Sequence, residues 1–120
     1  MFEALRAVRL FGAGVRLRDQ GERERALEKA EKALELLSRP NVNRRSAVGF
    51  TTAVNCFHLF VELAVPMGRL EEARRVLGEW LHLYDEMKLP PSEHPGLRAQ
   101  EEWARSMAAQ LDERLGPRGA

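Results

Sequence analysis

Cysteine is almost absent from this sequence, since Cys56 is the only one in 120 residues. A single thiol excludes an intrachain disulfide framework and a thiolate metal cluster. The N-terminus also lacks the unbroken apolar run of a signal peptide, because charged residues interrupt it every few positions. We therefore expect a cytoplasmic protein. Arginine greatly outnumbers lysine, which favours a GC-rich bacterial genome as its source.

An excess of charge of one sign is also missing, because 19 basic side chains face 18 acidic ones. The overall charge gives no reason to expect a polyanion as partner. The first half is mildly basic and the second mildly acidic, which is typical of solvated helix faces; the alternative is that this asymmetry orients a partner or another copy of the chain. A weaker alternative is nucleic-acid binding. It would use Arg16, Arg18, Arg23, Arg25, Arg39, Arg44 and Arg45.

Catalytic motifs are lacking as well. Gly12, Ala13 and Gly14 lie inside a helical pattern and not between a strand and a helix, so they do not form a phosphate-binding loop. His58 and Glu62 are four residues apart and offer two metal ligands, but there is no His-Glu-x-x-His pattern. The remaining histidines, His82 and His94, belong to another predicted helix and a loop. We predict a protein that is not an enzyme and needs no cofactor; the alternative is a small metal-dependent enzyme using His58 and Glu62.

Helical periodicity dominates the residues that are present, and the length fits a single domain over residues 1–115. Residues 2–19 and 22–38 predict two helices joined at Gly21. Small residues on the second helix, and Gly14 on the first, allow the two helices to approach closely. The sequence therefore predicts an all-α protein that begins with an antiparallel helix hairpin, residues 2–38. The small or apolar positions on the second helix are Ala26, Ala30, Ala33 and Leu37.

A second hairpin is predicted over residues 44–88. Its first helix, about residues 44–65, is apolar enough to raise the possibility of a membrane span. Against that, four polar residues recur at helical spacing and would be costly in lipid, so we predict a central helix that is packed on most sides. These residues are Thr51, Asn55, His58 and Glu62.

The chain repeats itself. Ala73 follows Gly68 at the distance at which Ala26 follows Gly21, and Gly68 follows Gly21 by 47 residues. A third glycine, Gly116, comes 48 residues after Gly68. Residues 89–96, rich in proline, predict a rigid connector, and residues 97–115 predict a capping helix, about the fifth of the protein. We expect a disordered tail at 116–120. The inward face of the capping helix is predicted to contain Leu97, Ala104, Ala108, Leu111 and Leu115.

The first hairpin resembles a tetratricopeptide repeat in the spacing of its small and apolar residues. The chain departs from that family in Leu10, where tryptophan is frequent, in Ala30, where an aromatic residue is usual, and in a period longer than about 34 residues. Armadillo-type and HEAT-type repeats therefore stay open as alternatives. The matching positions are Leu10, Ala13, Gly14, Leu17, Gly21, Ala26, Ala30 and Ala33.

The resemblance implies a concave groove lined by the first helix of each hairpin, and hence a protein or peptide partner. The ligand expected there is an apolar segment with a basic residue for Glu62. The alternative is that Asn55, His58 and Glu62 bond to one another or to neighbouring helices inside the domain. The groove positions implied by the resemblance are Val8, Phe11, Val15, Arg18, Asn55, His58 and Glu62.

The first helix carries more apolar surface than one partner helix can cover. This predicts self-association, most simply as a homodimer about a two-fold axis. The contact would either compete with partner binding or create the binding surface, because the same patch contains groove positions. The patch consists of Phe2, Leu5, Val8, Phe11 and Val15.

Overall fold

The computed structural model describes residues 3–44, 46–87 and 95–116, and these form five helices without a strand. The prediction of an all-α protein with about five helices is confirmed. Five features of the sequence analysis lie outside the described residues: Phe2, Arg45, most of the predicted connector with His94, the side chain of Leu97, and residues 117–120. The helices are α1 (Glu3–Asp19), α2 (Arg23–Leu37), α3 (Ala47–Ala64), α4 (Leu70–Met87) and α5 (Pro95–Leu115).

Two helix starts differ from the predicted ones, and each has a local cause. The third helix was expected near residue 44 but begins at Ala47, because the Ser46 hydroxyl accepts a hydrogen bond from the Gly49 amide at 3.0 Å and caps the helix. The last helix begins at Pro95, two residues before the predicted start. Proline suits the first helical position, where its missing N–H would have no partner in the helix anyway.

The two hairpins turn in the same way. Gly21 and Gly68 both have a positive φ, 80° and 79°. In the first turn, Glu22 N donates to Leu17 O at 2.9 Å and Gly21 N donates to Arg18 O at 3.0 Å. The second turn repeats both bonds 47 residues later, where Arg69 N and Gly68 N are the donors at 3.0 Å. The first helix of each hairpin, α1 or α3, is thus followed by a glycine at which the chain reverses direction. This shared turn gives the internal repeat of the sequence a structural basis.

One hydrophobic core runs through the molecule with α3 at its centre, where it packs against all four other helices. Gly14 lies where three helices pack closely together. A Cβ placed on Gly14 would lie 3.0 Å from Leu59 Cδ2 and 3.4 Å from Ala26 O, so α1, α2 and α3 meet around this glycine. The alanine positions predicted to allow close approach, Ala26, Ala30 and Ala33, are fully buried.

Among the described helices, α3 alone has the length and apolar character of a membrane-spanning segment. About two thirds of its residues (67%) are buried inside the fold, so its apolar surface packs against the other helices of the chain. The capping helix α5 packs mainly on α4. Ala104 and Leu111 of α5 are buried and Ala108 packs on the core, on the face predicted to point inward.

Candidate functional site

Helices α1 and α3 lie side by side and run in the same direction. Arg18 Nη1 donates to Glu62 Oε1 at 3.0 Å, and one helical turn earlier Gly14 lies against Leu59. Both contacts pair residues about 44 positions apart in the chain. This register places the N-terminal ends of α1 and α3 together, so that the faces predicted to line a groove lie next to each other.

A cleft of about 200 Å³ opens between α1, α3 and the start of α5. It contains five of the seven residues predicted for the groove. The other two are placed differently: Val15 is partly buried against the core, and Val8 is 42% exposed, nearer the N-terminus of α1. The residues lining the cleft are Phe11, Arg18, Asn55, His58, Leu59, Glu62 and Gln100.

Glu62 already has partners within the chain. Besides the bond from Arg18, its second carboxylate oxygen lies 3.6 Å from His58 Nε2. Arg18 also bonds Asp19 at 3.2 Å. A ligand cation at Glu62 therefore has to join or displace Arg18. Ion pairs that are as exposed as this one contribute about 0–1 kcal/mol, so the exchange is energetically accessible.

The capping helix α5 contributes two residues that sequence reasoning missed, one that packs on His58 and one that lines the cleft. The Trp103 ring lies 4.3 Å from the His58 ring, centroid to centroid, and the Trp80 ring lies 5.8 Å from it. His58 is thus held between α4 and α5. The second residue is Gln100, which lines the cleft directly. The pattern of residues 97–115 indicated a cap but contained no signal for where this helix would dock.

One amide group in the cleft is buried without a hydrogen-bond partner from the residues that the structure describes, and a second is open to solvent. The Oε1 atom of Gln100 is buried and has no partner among the described residues. The side chain of Asn55 is half-buried, and it too makes no side-chain hydrogen bond within the described part of the chain. A buried carbonyl oxygen without a donor costs about 1–3 kcal/mol. A ligand that brings an N–H or O–H group into the cleft would remove this cost.

Two other residues that could carry chemistry, His82 and Cys56, do not line the cleft. Within the described ranges, no three histidine, cysteine, aspartate or glutamate side chains come together in a way that could hold a metal ion. His82 lies on α4, where it pairs with Glu86 at 3.0 Å and is largely exposed. Cys56 is buried, and burial raises the pKa of its thiol from 9.0 to about 12, so the nucleophilic thiolate is not formed at neutral pH.

Three of the seven arginines of the nucleic-acid alternative are engaged in ion pairs. Arg18 pairs with Glu62, Arg25 with Glu22 at 3.0 Å, and Arg39 with Glu3 at 4.0 Å.

Comparison with known proteins finds no matching family model, curated protein or solved structure. The resemblance to tetratricopeptide repeats therefore depends on the residues of this chain alone and stays a prediction.

Proposed function

We propose that this protein is a non-catalytic interaction module that binds a peptide segment of a protein partner in the groove between α1 and α3. The cleft at the C-terminal end of that groove supports the proposal. It gathers Phe11, Arg18, Asn55, His58 and Glu62 into one place. It also holds Gln100 Oε1, a buried acceptor that has no donor among the described residues.

The chemistry of the groove selects the kind of peptide. Val8 and Val48 are 42% and 67% exposed, and the register of α1 against α3 places both toward the N-terminal end of the groove. An apolar side chain of the ligand would cover them, with a gain of about 25 cal/mol for each Å² of apolar surface buried. At the other end, backbone amides or a basic side chain would supply donors for Gln100, Asn55 and Glu62.

The setting we propose is the bacterial cytoplasm, with self-association through the first helix as a second property. The lone, buried Cys56 is compatible with a reducing compartment. Leu5 and Val8 are large apolar residues that remain exposed on α1, as self-association requires. Phe11 and Val15 contribute less to this patch than the sequence suggested, because both pack partly against the core.

A peptide-display selection on the immobilised protein tests the proposal. Selected peptides would be measured against Asn55→Ala and Gln100→Ala, each of which removes one amide from the cleft. We expect at least tenfold weaker binding, which corresponds to about 1.4 kcal/mol.

Two controls remove polar side chains that lie outside the cleft. Gln110→Ala removes a glutamine on α5 that is exposed and bonds Ser106 at 3.3 Å. His82→Ala removes a histidine that pairs with a glutamate four residues later, as His58 does, but outside the cleft. Both should bind as tightly as wild type. If no peptide is enriched, or if the cleft variants and the controls weaken binding equally, the proposed site is wrong.

A further inference from the structure

The outward side of α1 is a basic and apolar surface, which we call the α1 outer face. Leu5 and Val8 are 50% and 42% exposed. The same helix carries three exposed arginines that have no ion-pair partner within the described residues: Arg6, Arg9 and Arg16. An apolar strip bordered by charges of one sign is typical of a surface that is covered by an acidic partner.

A complementary surface exists on the opposite side of the first hairpin. Helices α2 and α4 enclose a cleft of about 270 Å³, the α2–α4 cleft, whose floor is Leu34, Phe60 and Val76. Its rim is acidic, with Glu31 and Glu35 from α2 and Glu79 from α4. Glu79 is neutralised by Arg75 at 3.2 Å. Glu31 and Glu35 form no ion pair with any residue that the structure describes.

The α1 helix of a chain does not reach the α2–α4 cleft of the same chain. It packs on the other side of α2, where Gly14 lies against Ala26 and Lys29. Glu31, Leu34 and Glu35 point away from this contact into the cleft. Only a second copy can therefore bring the two surfaces together.

We propose that the α1 outer face of one copy docks in the α2–α4 cleft of another. Leu5 and Val8 cover the apolar floor, and the arginines of α1 lie against Glu31 and Glu35. The inference deepens the self-association proposed above by naming the surface that receives α1. A two-fold contact of α1 with α1 is disfavoured, because it would bring the arginines of both copies together. Since the donor and acceptor surfaces lie on opposite sides of the first hairpin, one neighbour cannot engage both, so the contact is head-to-tail and adds further copies until a ring closes.

Two charge-reversal variants test the arrangement. The donor variant carries Arg6→Glu and Arg9→Glu, which repel the acidic rim. The acceptor variant carries Glu31→Arg and Glu35→Arg, which repel α1. All four residues are exposed, so both variants should fold, which circular dichroism checks. The masses are measured by analytical ultracentrifugation at tens of micromolar.

We expect wild type to grow in mass with concentration, more weakly in high salt, and each variant to stay monomeric alone. An equimolar mixture of the two variants should associate again, because the intact α1 of the acceptor variant fits the intact cleft of the donor variant. The reversed charges are complementary as well, since the acidic α1 of the donor variant faces the basic cleft rim of the acceptor variant. A two-fold dimer through α1 does not produce this pattern.

Three results would overturn the inference. If the acceptor variant associates as wild type does, self-association holds but the α2–α4 cleft is not its surface. If the folded variants fail to pair in the mixture, the two surfaces do not bind each other. If wild type stays monomeric, self-association fails altogether, and binding to anionic vesicles or RNA that is lost in the donor variant would assign the α1 outer face to a polyanion. Peptide binding in the α1–α3 groove is measured separately with Asn55→Ala and Gln100→Ala, which lie outside the α1 outer face, so its failure is distinguishable from these outcomes.

Discussion

Two titratable side chains in the core are held neutral by their surroundings. Burial among the apolar residues of α3 raises the pKa of Cys56 from 9.0 to about 12. Burial also raises the pKa of Tyr84 from 10.0 to about 12, although the hydrogen bond that its hydroxyl accepts from Trp80 Nε1 at 3.0 Å acts in the opposite direction. Both groups ionise more readily in the unfolded chain than in the folded protein.

This difference predicts a loss of stability at alkaline pH. Between pH 9.0 and about 12, unfolding releases the Cys56 proton that the folded state retains. The free energy of unfolding should therefore fall as pH rises above 9, by about 1.4 kcal/mol per pH unit for this group. Urea denaturation at several alkaline pH values measures the slope. In Cys56→Ala the fall should begin about one pH unit higher, where Tyr84 of the unfolded chain ionises; an unchanged profile would contradict the assignment.

Two helical glycines should respond in opposite ways to alanine. A Cβ on Gly49 would overlap the Asn43 carbonyl oxygen and lie 2.9 Å from Ser46 Oγ, so Gly49→Ala should destabilise the protein by about 1–3 kcal/mol. On Gly12 the nearest atom would be Arg16 Nη1 at 3.6 Å. Gly12→Ala should therefore stabilise the protein by about 0.5–1 kcal/mol through helix propensity. Thermal unfolding of both variants checks the prediction, and shifts of the same sign would disprove it.

At the level of helices, the sequence predicts correctly those features that depend on local periodicity, such as which residues share one face of a helix. The polar stripe Asn55, His58 and Glu62 faces one cleft as the spacing indicated. The pairing of Glu62 with Arg18 was not predictable, because it depends on which helix lies beside α3. Trp103 and Gln100 were missed for a similar reason: nothing in the pattern of α5 specifies where this helix docks.

The end of α5 is fixed by a buried arginine, and this gives a prediction for one helix. Arg74 Nη1 donates to Gly116 O at 2.7 Å and lies 3.6 Å from Asp112 Oδ1. Arg74→Met should leave that carbonyl without its charged donor, at about 1–3 kcal/mol, and let the last turn of α5 open. Hydrogen exchange should accelerate at residues 111–116 and stay unchanged in α1.

Arg75→Met is the matched control, because Arg75 is its exposed neighbour and pairs with Glu79 on its own helix. Hydrogen exchange in α5 should be the same in this variant as in wild type. If both variants accelerate exchange equally, the effect arises from the loss of a charge on α4 and not from the contact with Gly116.

At the scale of the whole molecule, repeated hairpins can unfold one after another or in a single cooperative transition. Stacked repeats open one after another when each unit contacts only its neighbours. Here α3 contacts both helices of the first hairpin, its own partner α4 and the cap α5. The core around it is continuous from Leu27 in α2 to Leu111 in α5. This connectivity favours a single cooperative transition.

The tryptophans make that cooperativity testable. Trp80 and Trp103 are the only two, and both lie outside the first hairpin. Leu27→Ala removes a fully buried side chain of the first hairpin and should cost about 2–5 kcal/mol. If the molecule unfolds as one unit, the urea midpoint seen by tryptophan fluorescence must fall as far as the midpoint seen by circular dichroism. Leu5→Ala, at a half-exposed position, should move neither midpoint appreciably. A fluorescence midpoint that stays at the wild-type value in Leu27→Ala would mean that the hairpins unfold independently.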